Sequence, residues 1–355
     1  MTEPQLSDEG DADVKRRLEA FTKRFEERYA RDVAEGRGEF EQSLLPAKVY
    51  QLPLWPDPVR GGPNALLRSA LFAGIHSKRR QRLGTQTTPE KEPEGVTIAS
   101  QDGIKIKYAG TQLNQYDADV FFEALHRARL HPLATQCFFR GYDFLKAIGR
   151  QNGKREYEDL HDSLTRLRNG HVVIEWEIKG RELDFNGGLI DHYVRDKTNK
   201  LYKVTFAKEI KTLFATACWT QLEWDERMAL KGHPQAQWMH SYFSSHAAPF
   251  PVSVAFLHQK SGSRRALLKD YRTDLKSALA TLQKVLGWKI SWEKDLITVT
   301  RRPSSSQAKF LLAKARSKKI LANTATKEIL PASEFTPGLL KSLKALPDSR
   351  SQRHV

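Results

Sequence analysis

Along residues 154–168 (KREYEDLHDSLTRLR) apolar positions recur at helical spacing. Tyr157, Leu160, Leu164 and Leu167 share one side of a helix, and Arg155, Glu158, Asp159, Asp162 and Arg166 share the other. Asn169-Gly170 stops that helix, and the alternation over 171–178 opens a strand. Upstream, Phe138, Phe139, Tyr142, Leu145 and Ile148 predict a first helix, closed by a turn from Gly149 to Gly153.

Helix, tight turn, amphipathic helix, then β-hairpin is the order of a winged-helix domain, whose second helix enters the major groove of DNA. An ordinary helical hairpin with a charged solvent face has the same pattern, so the pattern leaves both open. The neighbouring stretches extend the unit. Prolines 53, 56, 58 and 63 keep 50–59 extended, Asn64 caps a helix to about Ile75, and 76–95 reads as a mobile loop. A hairpin is predicted over 96–99 and 104–108 about Asp102-Gly103, followed by a helix capped by Asp117 that ends at His131-Pro132. Strands at 172–178, 182–185 and 201–206 are joined by charged loops, 179–181 and 195–200, that make a candidate wing. The second half repeats the order. Short elements at 208–214, 219–224, 236–245 and 251–262 precede a long helix, 265–286, which buries Leu268, Tyr271, Leu275, Leu279, Leu282 and Leu286. Gly287 ends it, and a hairpin of 288–292 and 296–300 turns at Glu293-Lys294-Asp295. The expected fold is α+β: two tandem winged-helix domains, 47–206 and 207–302. They lie between an acidic, largely disordered arm (1–46) with a short amphipathic helix of Val14, Leu18, Phe21 and Phe25, and a basic flexible tail (303–355).

Charge adds a partner to this picture. The chain has 355 residues and a net charge of +16. The arm 1–45 carries −4 and the tail 303–355 carries +7, leaving +13 on 46–302, so the excess lies on the part expected to fold. Such a surface favours a polyanion. The residues that would meet DNA are Lys154, Arg155, Asp159, Asp162, Arg166 and Arg168 on the first helix, with Lys179 and Arg181 in its wing. In the second half they are Lys269, Arg272, Thr273, Lys276, Ser277 and Lys284 on the long helix and Lys294 in its hairpin. Arginine pairs with guanine O6/N7, carboxylates accept from cytosine N4, and lysines neutralise phosphates. Catalytic spacings are missing. Gly149 to Lys154 is one residue short of a phosphate loop, with Arg155 where Ser or Thr belongs, and no HExxH or Cys-His cluster occurs. Neither a catalytic residue, a metal site nor a cofactor is expected; the chain reads as a binding protein. Cys137 and Cys218 are expected to be buried thiols of a cytosolic protein. No apolar run reaches a membrane span's length, so no membrane partner is expected and the cytoplasm is the expected location.

The block GTQLNQYDADVFFEALHRARLHP at 110–132, followed by 137–175, resembles the TrfA family of plasmid replication initiators, over roughly 50–302 and most strongly at 108–178. The resemblance implies a protein that binds directly repeated iterons in double-stranded DNA at a plasmid origin and helps open adjacent A+T-rich DNA, which it would meet as single strands. It also implies recruitment of the host sliding clamp, replicative helicase and initiator, and exchange between monomers and dimers. Locally, Gln51-Leu52-Pro53-Leu54-Trp55 is similar to the QLxLF peptide that docks on sliding clamps, with Trp55 in place of Phe. Gln51, Leu52, Leu54 and Trp55 are the expected clamp contacts; the other reading folds Leu54 and Trp55 back onto the neighbouring domain. The competing function is a winged-helix transcriptional repressor that binds an operator as a dimer.

Overall fold

A computed structural model describes residues 52–84, 95–100, 103–130, 135–178, 181–214 and 219–327. The acidic arm, Gln51, Lys179 and Cys218 lie outside the described residues. Pro53, Pro56 and Pro58 hold the chain extended until β1 (Val59–Pro63), and α1 (Asn64–Leu67) is a single turn capped by Pro63. The longer helix expected there is replaced by β2 (Phe72–Ala73), and part of the expected loop folds as a 3-10 turn, Ser77–Arg79, and β3 (Arg82–Leu83). The predicted hairpin is present: β4 (Val96–Ile98) pairs with β5 (Ile104–Thr111).

Next come β6 (Leu113–Asn114), which pairs in parallel with β2, and α2 (Gln115–Ala128). Its cap is Asn114 and not Asp117: the Asn114 side chain accepts from the Tyr116 and Asp117 amides while the Asp117 carboxylate accepts from the Asn114 amide. The first helix predicted around 138–148 is divided. Its start is a strand, β7 (Gln136–Arg140), with Cys137 and Phe139 buried between exposed Phe138 and Arg140; only α3 (Gly141–Ala147) is helical. Two adjacent phenylalanines satisfy either period, and pairing with a later strand decides for the period of two. The amphipathic helix forms as predicted, α4 (Lys154–Asn169), burying Leu160, Leu164 and Leu167. Four strands follow: β8 (His171–Ile178), β9 (Arg181–Gly187), the unanticipated β10 (Ile190–Asp196), and β11 (Leu201–Phe206).

These strands make two sheets beside α2. One runs β3-β5-β8-β9 with β4 also on β5; the other runs β10-β11-β7, all antiparallel. After the 3-10 helix Lys208–Phe214, β12 (Trp219–Glu223) returns to pair with β1, so this strand, expected in the second half, belongs to the first. The first apolar core extends from Leu52 to Trp224 and the second from Leu230 to Val299. The second core holds α6 (Pro234–Ser244), α7 (Val254–Lys260) and α8 (Leu268–Leu286), after the short α5 (Trp224–Ala229). It also holds β13 (Val252–Ser253), β14 (Lys289–Glu293) and β15 (Leu296–Thr300) in the order β13-β15-β14. Gly287 takes φ 66° at the end of α8 and returns its amide to the Gln283 carbonyl, a conformation glycine adopts without strain.

Both cores lie in one compact unit, Met1–Arg301. Between them runs a buried polar seam. Arg227, with no exposed surface, donates to Asp119 Oδ1 at 2.7 Å, Ser241 Oγ at 2.7 Å and Gln115 Oε1 at 3.0 Å, and Trp238 Nε1 donates to the Ser69 carbonyl at 3.0 Å. The second unit, Arg302–Val355, contains α9 (Ser305–Lys327), so a helix stands where a flexible tail was expected. Among the described residues no helix is long and apolar enough to cross a membrane.

Candidate nucleic-acid interface

Each core presents one amphipathic helix whose outer face is polar and whose inner face is locked. On α4 the buried leucines fix the rotation, leaving Lys154, Arg155, Asp162 and Arg168 exposed and Asp159 half-buried. Arg166 was expected beside them and is spent elsewhere. Its Nη2 and Nε donate to Asp117 Oδ1 at 2.8 and 3.1 Å, the same carboxylate that takes Ser163 Oγ and, on its other oxygen, Arg80 Nη2. Asp117 is fully buried, so its charge needs these donors, and Arg166 ties α4 to α2.

The hairpin β10–β11 lies against the start of α4. Its turn is held by the Asp196 carboxylate, which accepts from the Thr198 and Asn199 amides at 2.9 and 3.0 Å. Lys200 Nζ sits 4.5 Å from the Tyr157 ring centroid. Lys154, Arg195, Lys197 and Lys200 border a groove of about 380 Å³ floored by Tyr157 and Tyr202. The His161 imidazole is held below its ordinary value, first by burial and then by Arg195; Asp162 opposes this and Lys197 adds to it. The charged segment 195–200 is legible in the sequence, but its place beside the helix depends on β10. Lys203, one turn of the pleat further on, lies 5.5 Å from the Phe138 ring centroid. Of the other expected wing, Arg181 is in β9.

On α8 the buried side carries Tyr271, Leu275, Leu279 and Leu282, and the exposed side carries Lys269, Thr273, Lys276, Ser277 and Lys284 as expected. Arg272 is half-buried and bonded to Asp295 Oδ1 at 2.7 Å, which fastens the helix to the turn of its hairpin; in that turn Lys294 is exposed at φ 54°. Lys276 Nζ lies 5.9 Å from the Trp292 ring, so the hairpin also supports the helix face. Asp274 is held below the usual carboxylate range by its hydrogen bonds from Arg265, against the effect of burial, and Arg79 adds to this from the first core. Sequence periodicity gave Arg79 and Arg264 no place and made Arg265 the first residue of the long helix, which begins at Leu268; all three line a cavity of about 350 Å³ beside Ser277. Their charge is visible in the sequence, yet their convergence needs both cores. Among the described residues no group of His, Cys, Asp and Glu could hold a metal ion.

The expected clamp peptide is part of the first core. Leu52 is 1% exposed and Trp55 3%, while Leu54 is turned out, at 58%. Trp55 Nε1 donates to His126 Nδ1 at 2.9 Å, its ring stacks on Phe214, and its carbonyl accepts from Arg129 Nε at 2.9 Å. A Cβ at Gly61 would come within 2.6 Å of that ring, so β1 is glycine-rich where the indole lies on it. The prolines that suggested a presented peptide instead lay it across α2, and the Trp55 reading as clamp anchor is corrected.

A family model described as TrfA protein matches residues 41–302. The plasmid replication initiator protein TrfA of Escherichia coli is 26% identical over 266 residues, covering 72% of this chain; the chain spans 64% of the length of that relative. Among solved structures, domains 2 and 3 of RctB give a TM-score of 0.43 at 14% identity, over 67% of this chain and 97% of that chain. The Pi initiator protein in complex with iteron DNA gives 0.35 at 14% identity, over 53% and 96%.

Proposed function

Because the chain belongs to the TrfA protein family, we propose that it is a plasmid replication initiator that binds directly repeated iterons in duplex DNA. The observation that carries this reading is the exposed face of α8, where Lys269, Thr273, Lys276, Ser277 and Lys284 stand clear of a helix braced by its own hairpin. In our reading each core is a winged helix. α4 with the β10–β11 hairpin is one reading element, and α8 with β14–β15 is the other. Lysines hold phosphates, while Arg155, Asp159, Asp162, Thr273 and Ser277 meet base edges. The protein acts by binding, without catalysis, on plasmid DNA in the cytoplasm. Opening of adjacent A+T-rich DNA, recruitment of host replication proteins and monomer–dimer exchange are functions we assign on family membership. The buried seam through Arg227 supports two readers working at a set spacing, since it ties the two cores together.

Footprinting of the purified full chain on a plasmid origin tests this. Tandem protected repeats, spaced by whole helical turns and on one face of the duplex, are the expected result. Protection of a single palindrome would replace the initiator reading with an operator-binding repressor.

A further inference from the structure

The two cores meet around the cavity of about 350 Å³, to which duplex reading gives no role. One wall comes from residues 74–81 of the first core, and the other from the start of α6, the loop 263–265 and α8. The Gly74 amide joins the walls by donating to the Ser261 carbonyl at 2.8 Å. α8 contributes Tyr271, Asp274 and Ala278, a strip at three- and four-residue steps along its flank; Ser277 is the one lining residue that is also assigned to the duplex. Three guanidinium groups, those of Arg79, Arg264 and Arg265, accompany one carboxylate, Asp274, a surplus of two positive charges. The Arg265 fork is spent on that carboxylate, through Nε at 2.6 Å and Nη2 at 2.8 Å, whereas Arg79 gives it one nitrogen at 3.3 Å. The loop that carries Arg264 is fixed, because the Arg265 amide donates to Ser263 Oγ at 3.3 Å and its carbonyl accepts from His258 Nε2 at 2.9 Å.

A surplus of two charges matches a phosphate monoester, and arginine forks take its oxygens in pairs. The volume decides what the phosphate is attached to. A bare ion leaves most of the space empty, whereas pockets of about 300–1,000 Å³ at a boundary between domains, with apolar walls and a few polar groups, hold small organic ligands. Ile75, Pro234, Ala236 and Ala278 supply the apolar surface, and Gln81 supplies an amide for the edge of a base. We propose that this cavity binds a nucleoside monophosphate, its phosphate held by Arg79 and Arg264 and its base laid against Ile75 and Pro234. The site goes beyond the initiator reading and stands independently of it. A ligand there touches both cores at once.

The test is calorimetric titration of the full chain, without DNA, with AMP, GMP, CMP and UMP in turn, and with inorganic phosphate and adenosine as controls. Saturable one-to-one binding of at least one nucleotide is expected, with phosphate and adenosine each weaker by about tenfold or more. Arg79→Ala and Arg264→Ala are each expected to weaken that nucleotide by about tenfold, the scale of one lost charge-assisted hydrogen bond, and Arg264→Lys to restore part of it. Both arginines are exposed, so thermal unfolding without ligand should hold. If Arg79→Ala loosens the fold through Asp274, Arg264→Ala decides. No saturable binding of any of the four nucleotides at millimolar concentration overturns the proposal. So does unchanged affinity in Arg264→Ala, or phosphate binding as tightly as the nucleotide, which would leave a seat for a bare anion. Loss of duplex iteron affinity in Arg264→Ala with nucleotide binding intact also overturns it and makes the arginine a contact to the DNA backbone. If the nucleotide arm behaves as expected while wild type fails on duplex iterons, the initiator reading falls and this site stands.

Discussion

Arg155 and Arg166 occupy the same polar stripe of one helix and have opposite fates. Arg155 is exposed, whereas Arg166 completes the shell around Asp117, a carboxylate with no exposed surface. Arg166→Ala should therefore lower folding stability by about 1–3 kcal/mol, because a buried acceptor loses a charged donor. Arg155→Ala should leave stability alone and weaken specific over scrambled duplex by about 1–3 kcal/mol. Urea unfolding and gel-shift titrations on both proteins separate the roles; the reverse assignment would return Arg166 to the DNA. A second residue-scale consequence concerns pH. His126 accepts from Trp55 Nε1 only while Nδ1 is unprotonated, and burial, with Arg60 and Arg129, lowers its pKa from 6.5 to about 3; Asp57 opposes this. His246 is lowered to about 4, again first by burial and then by Arg68. A depressed imidazole leaves stability intact above pH 6.5 and removes it as pH falls towards the folded value. Each histidine should cost about 2 kcal/mol at pH 5 relative to pH 7. Urea midpoints of wild type and His126→Leu at the two pH values check this: the variant should have the smaller pH dependence.

At the scale of elements, α4 and α8 are alike in pattern and differ in what fastens them. α4 is tied inward, through Asp117, to the helix at the centre of the first core; α8 is tied to its own hairpin by Arg272 and Asp295. Lys269, Lys276 and Lys284 are all exposed on α8. Replacing any one that touches phosphate with Ala should reduce the magnitude of the logarithmic salt slope of duplex binding by nearly one. Unchanged slopes for all three would take this helix off the DNA. The extended segment before β1 is a brace at this scale. Trp55→Ala should cost about 3–5 kcal/mol by leaving a cavity against Phe214 and Trp219, measured as a lower urea midpoint.

For the whole molecule the decisive contact is Arg227 with Asp119. Burial raises the Asp119 carboxyl above its usual range, and the guanidinium offsets part of that. Arg227→Met removes the partner and leaves the acid buried, a change worth about 3–5 kcal/mol. It also breaks the seam between the cores, so calorimetry should show one cooperative transition in wild type and two in the variant. A single, merely lowered transition would mean the cores unfold together without this pair.

Sequence alone determined what depends on neighbours within a few residues. The α4 and α8 helices, their buried leucines, the hairpins at Gly103 and after Gly287, and the cationic surplus all follow from period, turn residues and charge. Tertiary structure decided whatever needed a distant partner. Cys137 to Arg140 became a strand because β11 offered it pairing, and Asn114 took the cap because its box with Asp117 closes against β2 and Arg80. Trp55 became core and not bait because Gly61, Phe214 and His126 meet around it. Arg155 and Arg166 look equally free on a helical wheel; only the fold carries Asp117 to one of them, since a buried charge takes the nearest donor whatever the surface might have used it for.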